Sequence, residues 1–353
     1  MALSKIKVLI VDDSLMFRKT LENGLPNDLN IEVVGTAANA IEAMDKIKEL
    51  SPDVVTLDVE MPHMNGIDFL KKLIPERPIP VVVVSALPIN ALDALQAGAV
   101  DFVRKPVIKG PFDMNNFISD LTVKIKIASR ARVRKPVVPS TQQKAATASA
   151  PVSSLVSSSR TDNMVIAIGA STGGTEAIIQ VVKDLPPTTP GIIIVQHMPP
   201  VFTNMYAQRL DRICKMSVKE AQDKDRVERG KIIVAAGEFH LRLARDARGY
   251  YIRSEQGPKV SGHCPSVDVM FDSVTAVAGK NSVGVILTGM GADGAQGITK
   301  LRQTGAYTIG QDKDSCVVYG MPMEAYKRGG VVKQLPLESI GNDIIRYLNT
   351  GKM

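Results

Sequence analysis

Two groups of residues in this 353-residue chain have the types and spacing that chemistry needs. The first is acidic. Asp12 and Asp13 follow one short apolar run and Asp58 ends another, while Ser85 and Lys105-Pro106 end two more. Three carboxylates brought together repel one another unless a cation lies among them, and oxygen ligands with room for water suit Mg²⁺. A carboxylate can also attack phosphorus to form an acyl phosphate. A hydroxyl and an ammonium, here Ser85 and Lys105, would then hold the phosphoryl oxygens. Any one of these residues alone reads more simply as a strand or turn cap; all of them at the ends of the right runs make coincidence remote.

The second group is a serine, a histidine and an aspartate. Gly169-Ala170-Ser171-Thr172-Gly173-Gly174 lies between an apolar run and a helix-like stretch. Its glycines permit a sharp turn that lifts the Ser171 hydroxyl, and N–H groups at the following helix start can face an oxyanion. Alone, the segment fits a phosphate-binding loop or a helix N-cap equally well. The partners decide it. His197 follows the run ending at Gln196, and Asp293 lies in Gly289-Met290-Gly291-Ala292-Asp293-Gly294 after a third run. Three parallel strands would deliver nucleophile, base and orienting carboxylate to one edge, as acyl transfer requires. A different chain order, serine then acid then histidine, would use His240 or His263 after an acid such as Asp211 or Asp223. Both histidines read better as loop, substrate-contact or structural positions, and Cys264 beside His263 is a weak candidate nucleophile.

The elements that must position these groups are legible as an alternation. Apolar, β-branched runs at residues 6–11, 31–35, 54–57, 81–85 and 100–103 are interleaved with helix-like stretches at 14–25, 39–50 and 66–74. Five such strands predict an α/β, doubly wound parallel sheet, and solidly apolar runs indicate burial on both faces. The pattern stops near residue 127. A stretch rich in Ser, Ala, Thr, Pro, Lys and Arg follows, too poor in large apolar groups to offset its ordering entropy, and predicts a flexible linker. From Met164 the alternation resumes, with strands expected at 164–169, 192–196, 231–235, 250–252 and 283–288 and helices at 173–183 and 202–213. The expected division is 1–126, a linker at 127–161, and a second α/β domain at 162–353.

Bulk composition narrows the function classes. The net charge of +7 and pI near 9.2 first suggest nucleic acid. However, Arg130, Arg132, Arg134, Lys135, Lys144 and Arg160 stand against Asp162 alone, so the linker region carries most of the excess. No nucleic-acid motif accompanies it, and a DNA-binding role is not expected. Three cysteines, Cys214, Cys264 and Cys316, with no Cys-x-x-Cys pair, suit a reducing compartment better than a disulfide framework or zinc site. No signal peptide or membrane-length apolar stretch is evident, so a cytoplasmic location without direct membrane insertion is expected.

Residues 1–125, through Asp12, Asp13, Asp58, Ser85 and Lys105-Pro106, resemble the flavodoxin-like receiver domain of two-component response regulators. The resemblance implies Asp58 as phosphoacceptor, with Asp12 and Asp13 binding Mg²⁺ alongside it and Glu60 adding a backbone carbonyl. It makes Ser85 and Lys105 the switch pair and Phe102 a nearby aromatic reporter. The segments around Ser171, His197 and Asp293, with Pro265-Ser266-Val267-Asp268 and Tyr319-Gly320-Met321-Pro322, resemble the chemotaxis protein-glutamate methylesterase family (CheB). That resemblance implies Ser171, His197 and Asp293 as a catalytic triad, with Thr172 and Met290 N–H groups in the oxyanion hole. Its expected reaction is hydrolysis of glutamate γ-methyl esters on the cytoplasmic helices of chemoreceptors, with deamidation of selected glutamines in many members. No cofactor is implied for that chemistry. A chemotaxis histidine kinase is the implied phosphodonor, and phosphorylation is expected to expose the esterase cleft.

Overall fold

The computed structural model describes residues 4–106, 111–133 and 161–353. The chain divides into two compact units, Met1–Ser140 and Thr141–Met353. Most of the expected linker, residues 134–160, lies outside the described residues.

The first unit runs β1 (Ile6–Val11), α1 (Leu15–Gly24), β2 (Ile31–Ala37), α2 (Ala40–Leu50), β3 (Val54–Asp58), α3 (Gly66–Glu76), β4 (Val81–Ser85), α4 (Pro88–Gln96), β5 (Asp101–Arg104) and α5 (Pro111–Ala128). Side chains start three of these helices. Ser14 accepts from the Phe17 N–H, Asn39 from those of Ile41 and Glu42, and Asn65 from that of Asp68, which satisfies donors a helix leaves unpaired. All strand pairs are parallel in the order β2-β1-β3-β4-β5. Every residue of β3 and β4 is buried, and each such valine contributes about 1.5–3 kcal/mol over leaving it in water. The order reverses between β1 and β3, so Asp12, Asp13 and Asp58 lie at the carboxyl ends flanking the switch point, where α/β sheets bind ligands. Helix α5 extends two residues past the expected domain end at 126, and its last residue, Ala128, is fully buried.

The second unit begins with β6 (Val165–Ala170), α6 (Gly174–Val182), β7 (Ile192–Gln196), α7 (Phe202–Ile213), β8 (Ser217–Glu220) and β9 (Lys231–Val234). An antiparallel hairpin follows, β10 (His240–Asp246) and β11 (Gly249–Glu255), then α8 (Val267–Val277), β12 (Ser282–Ile286) and α9 (Ala295–Gln303). The unit closes with β13 (Tyr307–Gln311), α10 (Met321–Lys327), β14 (Lys333–Leu335) and α11 (Leu337–Thr350). Seven strands form a parallel sheet in the order β14-β13-β12-β6-β7-β9-β8. Strands β12, β6 and β7 are adjacent at its centre, and all their residues are buried. The chain leaves β6 to one side and returns on the other at β12, which sets this sheet's switch point directly beyond Ala170.

Candidate functional site

The turn after β6 is held by main-chain bonds. The Ser171 N–H donates to Thr288 O at 3.0 Å, the Gly174 N–H to Ser171 O at 2.7 Å, and the His197 N–H to Ala170 O at 3.2 Å. Thr288 Oγ1 donates to Thr172 O at 3.0 Å, so the β12 end is tied to the Ser171 turn. Gly173 adopts φ +76° where α6 begins, a conformation glycine takes at no steric cost. Gly289 permits close approach: a Cβ there would lie 2.7 Å from Ser171 Cβ. Gln196 Nε2 donates to both Ser171 O and His197 O, at 3.0 and 3.2 Å.

Asp293 is nearly inaccessible, and its carboxylate accepts four hydrogen bonds. Oδ1 receives Ser266 Oγ at 2.8 Å and the Asp268 N–H at 3.0 Å; Oδ2 receives the Val267 N–H at 2.8 Å and His197 Nε2 at 2.8 Å. The carboxylate therefore sits on the N-terminus of α8, where orphan N–H groups and the helix dipole favour an anion. Burial pushes its carboxyl up, but the His197 bond and charge and the two N–H groups outweigh burial and hold it below the usual carboxylate range. Asp268 behaves oppositely. Burial pushes it up and the Asp293 charge adds to that, against the Gly297 N–H. The site thus favours the anion at Asp293 over the anion at Asp268.

An anionic Asp293 accepts only, so His197 Nε2 carries the proton and Nδ1 holds the lone pair. His197 Nδ1 is buried and has no hydrogen-bond partner among the described residues. The fold brings Ser171, His197 and Asp293 to one sheet edge; the His197–Asp293 bond is made and a Ser171–His197 bond is not. The alternative order is not assembled. Asp211 accepts from the Val218 N–H and Asp223 from the Ser254 N–H, and His240 is buried against main-chain groups. His263 stacks on His197 with ring centroids 3.6 Å apart and planes within 10°. Burial pushes the Cys264 thiol up, which disfavours the thiolate a nucleophile needs. The segment Pro265-Ser266-Val267-Asp268 was legible as part of the family resemblance, but the role of Ser266 as a seat for Asp293 was not, because only the fold brings the two together.

In the first unit, Asp12, Asp13 and Asp58 each place a carboxylate oxygen within 4.8 Å of the others. Lys105 Nζ lies 2.5 Å from Asp58 Oδ2 and 2.9 Å from Asp12 Oδ2, and 4.8 Å over the Phe17 ring. Burial pushes Asp12 up and the Asp58 charge adds to it; Lys105 opposes this without reversing it. Burial lowers Lys105, yet its bonds to both aspartates outweigh this and raise it. The pocket gathers three carboxylates around one ammonium, and its hard oxygen donors fit Mg²⁺. The Glu60 N–H donates to Asp58 Oδ1 at 3.0 Å. Ser85 Oγ donates to Leu87 O at 3.0 Å and accepts the Leu87 N–H at 3.2 Å. Phe102 is buried on β5 opposite Val83.

Together these features define a class: an α/β protein that joins a receiver-type sheet in order 2-1-3-4-5 to a parallel sheet gathering serine, histidine and aspartate. The CheB methylesterase family model matches residues 166–344, and the response regulator receiver domain model matches residues 8–112. The chain belongs to the CheB methylesterase family and is a hydrolase carrying a receiver domain. It is 51% identical over 352 residues to protein-glutamate methylesterase/protein-glutamine glutaminase 2 of Syntrophomonas wolfei, covering 99% of each chain. The protein-glutamate methylesterase/protein-glutamine glutaminase of Salmonella typhimurium is 46% identical over 356 residues, again with 99% of each covered. Among solved structures, the Thermotoga maritima CheB methylesterase catalytic domain matches with 36% identity and TM-score 0.51, covering 52% of this chain and 98% of that one.

Proposed function

We propose that this protein hydrolyses glutamate γ-methyl esters, and deamidates selected glutamines, on the cytoplasmic helices of chemoreceptors. Ser171 Oγ attacks the ester carbonyl while His197 Nδ1 takes its proton, and Asp293 stabilises the imidazolium through Nε2–H. The N–H groups of Thr172 and Met290 face the oxyanion. Support for Met290 comes from its own peptide plane: Gly289 O accepts from the Gly320 and Met321 N–H groups at 3.1 and 2.8 Å, so the trans N–H of Met290 points away from α10. Methanol leaves with the proton from His197, and water activated by the same nitrogen resolves the glutamyl ester of Ser171. The observation that carries this reading is the commitment of His197 Nε2 to Asp293, which leaves the buried Nδ1 as the only ring nitrogen able to accept a proton. The Ser171–His197 bond then forms with substrate bound, as catalytic hydrogen bonds often do.

Control is assigned to the first unit. Asp58 accepts a phosphoryl group from a chemotaxis histidine kinase, and Lys105 and Ser85 hold its oxygens. Asp12, Asp13 and Asp58 would hold Mg²⁺, which supplies neutralising charge to that transfer; the ester chemistry needs no cofactor. A first domain that runs to the end of α5 at Ala128 and a second from residue 162, joined by a linker, complete the reading. No helix among the described residues is long and apolar enough to cross a membrane. Incubation with methyl-labelled receptor tests the whole proposal. Methanol release that rises with a small-molecule phosphodonor is expected; no release under either condition would sink it.

A further inference from the structure

We propose that His240 is a positioning residue for the hydrolytic site, a single buried imidazole that braces both members of the His197–Asp293 pair. The proposal rests on the roles of Ser171, His197 and Asp293 given above. His240 opens β10 and is 3% exposed. Its Nε2 lies 2.9 Å from Pro258 O, and a carbonyl only accepts, so Nε2 carries a proton. The Ser266 N–H donates to Nδ1 at 3.3 Å, so Nδ1 presents its lone pair. Both nitrogens are committed and the ring is held as one neutral tautomer.

Each bond leads to a different side of the site. Through Nδ1, His240 fixes Ser266, whose hydroxyl binds Asp293 Oδ1 and which caps the helix whose next two N–H groups complete the Asp293 seat. Through Nε2, it anchors Pro258 in the exposed loop that returns to His263. Val260 and His263 exchange N–H···O bonds of 3.0 and 2.9 Å, so the anchored carbonyl lies two residues before a tight turn. That turn presents the ring stacked on His197. Gly257 keeps the approach open, since a Cβ there would lie 3.1 Å from His240 Cδ2. A histidine serving the core alone would have no reason to join these two segments. The orientation of His197 depends on Asp293 at its edge and His263 at its face, and His240 holds both supports.

Two near-isosteric variants of the full-length protein separate the bonds. His240→Asn places an amide oxygen where Nδ1 lies, keeping the Ser266 bond and losing Pro258. His240→Gln places an amide nitrogen near Nε2, keeping Pro258 and losing Ser266. With methylated receptor as substrate, each is expected to lower kcat about tenfold with KM near wild type and a modest fall in Tm, because small misplacements of reacting groups are costly and a buried polar group loses its partner. His240→Gln should also move the acid limb of the kcat/KM profile to lower pH, since a loosened Asp293 stabilises imidazolium less. The His240→Asn deficit should largely disappear in a His263→Ala background, because both act through the stack. Wild-type kcat in both variants, or a His240→Asn loss that multiplies fully with His263→Ala, overturns the proposal. Should either variant fail to fold, Gly257→Ala, which crowds the ring, carries the same readouts. Ser171→Ala run in parallel keeps the two readings apart. If it is inactive while the His240 variants are normal, only the role of His240 falls; if it turns over normally, the catalytic assignment falls with it.

Discussion

Asp58 and Asp293 are both buried aspartates at the carboxyl edge of a parallel sheet, yet they are held in different ways. Asp58 is met by one side-chain cation, Lys105, and one N–H, that of Glu60. Asp293 is met by two main-chain N–H groups, a hydroxyl and an imidazole. Lys105 retains 20% exposure and divides its contact between two carboxylates. Such a partner can swing to a phosphoryl oxygen without breaking the backbone. The seat of Asp293 cannot move unless the start of α8 moves with it. On the proposed roles, the contrast separates a carboxylate arranged to react from one arranged to orient, and the means is side-chain versus main-chain partners.

Removing the nucleophile is the largest perturbation. Ser171→Ala is expected to lower kcat by roughly 10⁴-fold or more while Tm changes little, read by methanol release and loss of fluorophosphonate labelling. Close behind comes Asp293→Asn. Whichever way the amide turns, its NH₂ faces the N–H of Val267 or of Asp268, and next to His197 it forces the proton onto Nδ1. A loss of roughly 10³–10⁴-fold in kcat and about 1–3 kcal/mol of stability is expected. A mild effect on both would mean the seat is not rigid.

The matching change in the other unit should behave differently. Asp58→Asn is expected to abolish phosphate incorporation and phosphodonor stimulation and to leave basal hydrolysis and stability near wild type. Phosphate incorporation at the wild-type level would show that the acceptor lies elsewhere. Mg²⁺ should raise the Tm of the receiver transition with the logarithm of its concentration once that exceeds Kd, and Asp13→Asn should blunt that rise; chelation should reverse it.

The smallest effects concern pH. Because Asp293 is depressed in the fold, the stability it contributes is present above the unfolded value near 3.8 and is lost as pH falls through the folded value. Asp268 is raised, so its ionisation costs stability above its folded value, and the cost vanishes below about 3.8. Asp268→Asn keeps an acceptor for the Gly297 N–H, and removing a buried charge beside Asp293 should raise stability at neutral pH, a gain that shrinks in acid. A loss at pH 7 by thermal unfolding would contradict this.

Strand ends were legible because the strands that matter are short, β-branched and fully buried. Ser171, His197 and Asp293 each follow such a run, and β12, β6 and β7 are neighbours as the three-strand reading requires. Strand β13 was missed because Thr308, Gly310 and Gln311 interrupt its apolar character, although all are buried and Gln311 Oε1 accepts the Thr288 N–H. The edge strands β8 and β14 carry alternating or polar sequences and leave no strong signal. The strand read at 250–252 proved to be the middle of β11 in a hairpin, which a short apolar triplet cannot reveal. Contacts such as Ser266 to Asp293 join residues 27 positions apart. Local pattern holds no record of them.

The ring orientation of His197 also fixes which atom an electrophile will mark. With Nε2 committed to Asp293 and the buried Nδ1 without a partner among the described residues, a haloketone anchored on Ser171 meets Nδ1 first. The adduct's carbon should therefore be attached to the ring nitrogen nearer the main chain. Covalent probes built for hydrolases whose imidazole presents the other nitrogen will be misaligned here by the width of a ring, which gives a chemical route to selectivity.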